Sequence, residues 1–112
     1  MRRLRGISYL ICIGYLTCTS QAQDLRAEQS ALAAHIQLTP QDYESTFRYV
    51  NVSTELHDYE AAIGALERLL MFNPKLARAE MELGFLYARL GAWAPASEHL
   101  HAALEGDLNA TQ

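Results

Sequence analysis

Apolar residues recur along this chain at spacings of three and four, which predicts amphipathic helices. Asp42 to Glu55 places Tyr43, Phe47 and Val50 on one face, with Tyr49 at its edge. Tyr59 to Phe72 does the same with Ala62, Ile63, Leu66, Leu69 and Leu70. Leu76 to Leu90 carries Leu83, Leu86, Tyr87 and Leu90, and Ala94 to Leu104 carries Ala96, Leu100, Ala103 and Leu104. An earlier stretch, Asp24 to Leu38, carries Leu25, Leu32 and Ile36. No segment shows a period-two run of β-branched residues, so strands are not expected.

The pattern also repeats. The shift that lays Tyr59 on Trp93 also lays Ala62 on Ala96, Leu66 on Leu100 and Leu70 on Leu104. Under the same shift Phe47 falls on Met81, and Tyr49 on Leu83. Leu25, Leu32 and Ile36 lie one further period before Tyr59, Leu66 and Leu70. Asn73 is predicted to cap a helix with Pro74 in its first turn, and Thr39-Pro40 to do so one period earlier, with Asp42 completing a capping box. Gly91 stands where a helix must stop, and His57-Asp58 fills the equivalent turn. The expected architecture is all-α: a short α-solenoid of antiparallel helix pairs, about two and a half repeats long.

Leu83-Gly84, Tyr87, Gly91, Trp93, Ala96, Leu100, Ala103 and Leu104 resemble the tetratricopeptide repeat consensus nearly position for position. The resemblance implies two units, about residues 43–76 and 77–110, after an N-terminal helix at 23–40 that forms a partial, capping repeat. It implies that Gly84 lets the helices of a unit approach and that Ala62 and Ala96 mark helix crossings. The first unit departs from the pattern at Val50, Ser53 and His57, where the family has a small residue, an aromatic and a glycine. Asp58 to Leu70, continuing through Asn73-Pro74 to Tyr87, is also similar to the periplasmic repeat region of proteobacterial outer-membrane proteins such as surface lipoprotein assembly modifiers. There a signal peptide and a few repeats precede a β-barrel. This sequence holds no barrel, so that resemblance implies a stand-alone or truncated form without the barrel's transport activity.

Residues 1–22 differ from the rest. Arg2, Arg3 and Arg5 precede a charge-free apolar run from Ile7 to Cys18, and Ser20-Gln21-Ala22 offers small residues before a cut after Ala22. This is the layout of a secretory signal peptide. The run is short of the roughly 20 residues of a membrane span, so a permanent anchor is the weaker reading. A lipoprotein cut before Cys18 is weaker still, because Tyr15-Leu16-Thr17 is a poor lipobox. Cys12 and Cys18 both lie in this segment, leaving residues 23–112 without a disulfide or a thiol. Export without disulfides suits a periplasm, and the second resemblance adds association with the outer membrane.

Residues 23–112 carry 6 basic and 13 acidic side chains, a net charge of −7. That argues against a nucleic-acid or anionic-membrane binder, which needs clustered Lys and Arg. Candidate chemistry is sparse. His35, His57, His99 and His101 lack the spacing of a metal pair and are expected on solvated helix surface, and no nucleophile motif or phosphate loop is present. No catalytic residue, metal or cofactor is expected.

The resemblance points instead to a protein or peptide partner held in a concave groove lined by the first helix of each unit. By position, the groove candidates are Phe47, Arg48, Asn51, Arg78, Met81, Phe85 and Arg89, with Glu44, Glu55 and Glu82 alongside. Phe47, Met81 and Phe85 have two readings, as apolar anchors for a ligand or as core residues covered by a neighbouring helix. The family's carboxylate clamp is absent: Asn51 matches one position, but Phe47 and Glu82 stand where Lys and Asn belong. A self-associating or membrane-tethered structural repeat is the alternative. No capping helix follows Leu104, which is expected to leave Leu86, Leu90, Leu100 and Leu104 partly bare and to favour dimerisation through the C-terminal helix pair.

Overall fold

The structure is a computed structural model that describes the backbone of residues 4–110 and the side chains of residues 19–107. Among the described residues it is five helices and no strand: α1 (Leu4–Leu38), α2 (Tyr43–Glu55), α3 (Tyr59–Phe72), α4 (Ala77–Arg89) and α5 (Trp93–Ala110). Each helix packs on its neighbours in the chain, α1 on α2, α2 on α3, α3 on α4 and α4 on α5. The expected α-solenoid is therefore what forms.

The core lies between α2, α3 and α4. Phe47 and Val50 from α2, Ala62, Ala65, Leu66 and Leu69 from α3, and Ala79, Leu83 and Leu86 from α4 are buried together. These are the periodic positions of each helix, so the 3.6-residue pattern is the packing pattern. Leu86, expected to be partly bare, is a core residue at 4% exposure. Small residues set the helix spacing. A methyl on Gly84 would lie 2.6 Å from Leu100 Cγ and 3.2 Å from the Ala96 carbonyl.

The helix starts differ from expectation. Thr39 and Asn73 do not serve as N-caps. The Asp42 amide donates to the Thr39 carbonyl at 3.1 Å and the Leu76 amide to the Asn73 carbonyl at 3.3 Å, so each Pro occupies a β-turn ahead of the helix. Asp42 itself is the N-cap of α2, accepting from the Ser45 amide, while Asn73 is the C-cap of α3. Pro at the second position of a turn and Pro at the first position of a helix share the same φ, which is why the two readings differ by only a few residues.

The helix ends agree with expectation. Gly91 has φ +74° and His57 has φ +58°. At each, paired bonds close the turn: Asp58 N–H to Ser53 O and His57 N–H to Thr54 O, then Ala92 N–H to Tyr87 O and Gly91 N–H to Ala88 O. These are Schellman motifs one repeat period apart. Asp58 then caps α3 through the Ala61 amide.

α1 runs unbroken from Leu4 to Leu38. It packs on α2, where Glu28, Gln29 and His35 bond to Arg48, Ser53 and Asp42. The arginine cluster and apolar run of the signal segment lie outside the residues whose side chains are described. Among the described residues, no helix is long and apolar enough to cross a membrane.

Candidate functional site: a groove between α2 and α4

Asn51 and Thr54 of α2 face Glu82, Phe85, Leu86, Ala88 and Arg89 of α4 across a cleft of about 590 Å³. The helix period puts these residues there. Asn51 and Thr54 are three apart, and Glu82, Phe85 and Arg89 step by three and four, so each set shares one side of its helix. Phe85 is 55% exposed, an aromatic ring held half in water by a well-packed helix. Leu86 forms the apolar floor beneath it. Glu82 and Arg89 provide one charge of each sign.

The structure brings three of the sequence candidates, Asn51, Phe85 and Arg89, into this cleft. Met81, at 40% exposure, lies one turn before Phe85 on α4. Arg78 sits further along and is engaged within the fold. Its Nη1 lies 3.3 Å from Glu44 and its Nε 4.0 Å from Glu82. Its guanidinium carbon stands 3.8 Å above the Phe47 ring, a cation–π contact. Phe47 is 4% exposed, so it belongs to the core and is not an open anchor. Arg48 is turned toward α1, where its Nε donates to Glu28 at 2.6 Å. That bond and the Glu28 charge raise the pKa of the guanidinium above its ordinary value. Thr54, Leu86 and Ala88 of the lining were missed as site residues, although Thr54 follows Asn51 at the spacing that marks one helix face.

Polar contacts tie the helices that frame the groove. Gln29 of α1 donates to the Ser53 hydroxyl at 3.0 Å and to Asp58 at 3.1 Å. Ser53 is fully buried and replaces the aromatic found one period later as Tyr87, so Gln29 fills the space that the shorter side chain leaves. The Tyr87 hydroxyl donates to Glu67 of α3 at 3.0 Å. Desolvation first, and then this bond, raise the Tyr87 pKa. His99 stacks on Tyr87 with centroids 5.5 Å apart and donates to Glu80 at 2.6 Å. The expectation of a solvated His99 is thus corrected, because α4 and α5 half-bury it and give it a carboxylate partner. Among the described residues, no group of three or more His, Cys, Asp or Glu could hold a metal ion.

A second cleft of about 290 Å³ opens between the C-terminal end of α1 and α3, where Ile36, Pro40, Arg68 and Phe72 meet. It is smaller, and nothing in the sequence pointed to it.

The family model described as tetratricopeptide repeat matches residues 50–112. No curated protein matches the chain. Among solved structures, the crystal structure of MamA superposes with a TM-score of 0.72 at 23% identity. The match covers 79% of this chain and 52% of that one, so this chain spans about half the length of its structural relative. At that identity the likeness concerns the fold alone. The helix pairs, the sequence period, the paired Schellman turns and the match over residues 50–112 agree: this chain belongs to the tetratricopeptide repeat family.

Proposed function

We propose that this chain is an exported protein-interaction module, an adaptor or assembly factor, whose α2–α4 groove holds a peptide or an amphipathic helix of another protein. The observation that carries the reading is Phe85, half exposed in the groove beside Asn51 and Arg89. An aromatic on a rigid helix loses little entropy when a ligand covers it, so it suits the role of anchor. Asn51 can pair with a ligand backbone, and Arg89 and Glu82 can select charges beside the apolar residue that meets Phe85. Met81 extends the apolar strip. The family consists in general of non-catalytic interaction scaffolds, and a binding role needs no further chemistry from these residues.

The periplasm is the proposed location, with association to the outer membrane. It rests on Arg2, Arg3, Arg5 and the apolar run before Ala22. Mass spectrometry of the chain recovered from the periplasm of an expressing bacterium is expected to give a species beginning at Gln23, and recovery of only the full-length mass from the cytoplasm would defeat it.

The groove is tested by selecting peptides from a displayed random library on the full chain. Binding of an enriched peptide to Phe85→Ala and Arg89→Glu is then measured by fluorescence anisotropy. Phe85→Ala should weaken binding about tenfold or more. Peptides that bind the Phe85→Ala chain as tightly as the parent would place the binding surface elsewhere.

A further inference from the structure

Within this chain one helix face occurs twice, once covered and once bare. Leu66 of α3 is fully buried in the core that α4 shares, and Tyr59, Ile63 and Leu70 pack half-buried against that core. Their counterparts one period later are Trp93, Ser97, Leu100 and Leu104 of α5. Trp93 is 71% and Leu104 61% exposed, with Ser97 also exposed and Leu100 half-buried. Together with Ala88 and His101 these residues line an apolar cleft of about 330 Å³. The face has the shape of a helix-docking surface because its twin is one.

We propose that this face is a homodimer interface in which α5 packs antiparallel against α5 of a second copy. The strip is self-complementary. In an antiparallel pair centred near residues 98 and 99, Trp93 of one copy covers Leu104 of the other, at both ends of the contact. Near the centre, the small Ser97 admits Leu100 and His101 of the partner copy, so large residues meet small ones. Charge complementarity fixes the register. Glu98, His101 and Glu105 lie on the same edge of the strip by helical spacing, away from α4. Antiparallel packing about a two-fold axis keeps both such edges on one side and sets His101 of each copy beside Glu98 of the other, with the imidazole as donor and the carboxylate as acceptor. Among the described residues, neither His101 nor Glu98 makes an ion pair or a side-chain hydrogen bond within the chain. The contact is isologous, so it closes at two copies.

Trp93 is the chain's single tryptophan, so the contact carries its own reporter. The full chain is measured by light scattering and by tryptophan emission over a series of concentrations. The expected result is a rise in mass to the dimer that tracks a shift of emission to shorter wavelength. Leu104→Glu, at an exposed position, should keep the circular dichroism of the parent and weaken the dimer about a hundredfold. His101→Glu should weaken it roughly tenfold by facing Glu98 with a like charge, and adding Glu98→Lys should restore it. A monomer at every concentration overturns the proposal. So does an oligomer whose mass Leu104→Glu leaves unchanged, or one that Phe85→Ala dissolves, because self-association would then use another surface. Failure of the charge exchange to restore the dimer overturns the antiparallel register.

Discussion

His57 does with an imidazole what Gly91 does without a side chain: each turns the chain through a left-handed residue so that a Schellman motif can close. Left-handed backbone costs an L-residue about 1–2 kcal/mol, while the extra freedom of glycine in the unfolded chain offsets roughly 0.5–1 kcal/mol of the relief. His57→Gly is therefore expected to stabilise the fold by about 0.5–1 kcal/mol in a urea titration; a loss of stability would mean that the 3.0 Å bond between His57 and Tyr59 outweighs the strain. Asp42 offers a test by pH. The Ser45 hydroxyl first, then His35 and the Ser45 amide, hold its carboxyl at about 2, below its ordinary 3.8. A depressed folded-state value stabilises above the unfolded pKa, and that stabilisation disappears as the pH falls through the folded value. Asp42→Ala should thus be less stable than the parent at neutral pH, with the difference shrinking between about pH 4 and pH 2. A difference that does not vary with pH would remove the carboxylate from the account.

At the scale of the helices, α4 and α5 are close because Gly84 has no side chain. Gly84→Ala sets a methyl against Leu100 and should cost about 1–3 kcal/mol in chemical denaturation. In a Leu100→Ala background the same change should cost little, and a double-mutant cycle would show the coupling. Equal costs in the two backgrounds would trace the penalty to the Ala96 carbonyl instead. The helices themselves were legible in the sequence because burial follows the helix period: Ala62, Leu66, Leu83 and Ala96 are core residues at the positions their spacing gives them. Starts were less legible. Thr39-Pro40 and Asn73-Pro74 carry the signal of a helix start, yet the chain makes a β-turn first, and proline's fixed φ serves both. The groove was legible only in part, for a reason that lies between helices. Phe47 and Met81 are period equivalents, but Arg78 from a different helix lies over Phe47, while Met81 stays 40% exposed. A residue's spacing states which face it takes and not what its neighbours place above it. Ser53 makes the same point, since its partner Gln29 comes from α1 and has no local signature.

At the scale of the whole molecule, among the described residues, each helix packs chiefly on its neighbours in the chain, with Arg78 of α4 reaching back to Glu44 and Phe47 of α2, so stability propagates much as in a one-dimensional stack. α2, α3 and α4 each have a neighbour on both sides. α1 and α5 have one each, and the described part of α1 has no buried residue to set against Leu66 or Leu83. Local opening should therefore start at the two ends and reach the α2–α4 core last. Native-state hydrogen exchange is expected to show the highest protection in α3 and in the inner turns of α2 and α4, lower protection in α5, and the lowest in α1. One exchange free energy common to all five helices would instead mark a single cooperative unit. The ends also differ from each other in a way that exchange can detect. Covering α5, which turns out Trp93 and Leu104, with a second copy would give it the second neighbour that α3 already has in α4. Protection in α5 should then rise with protein concentration while that of α1 stays constant. Leu104→Glu should abolish the rise and leave α3 unchanged. The groove lies between these ends on the best-protected helices, where Phe85 and Asn51 keep their spacing whether or not the ends are open.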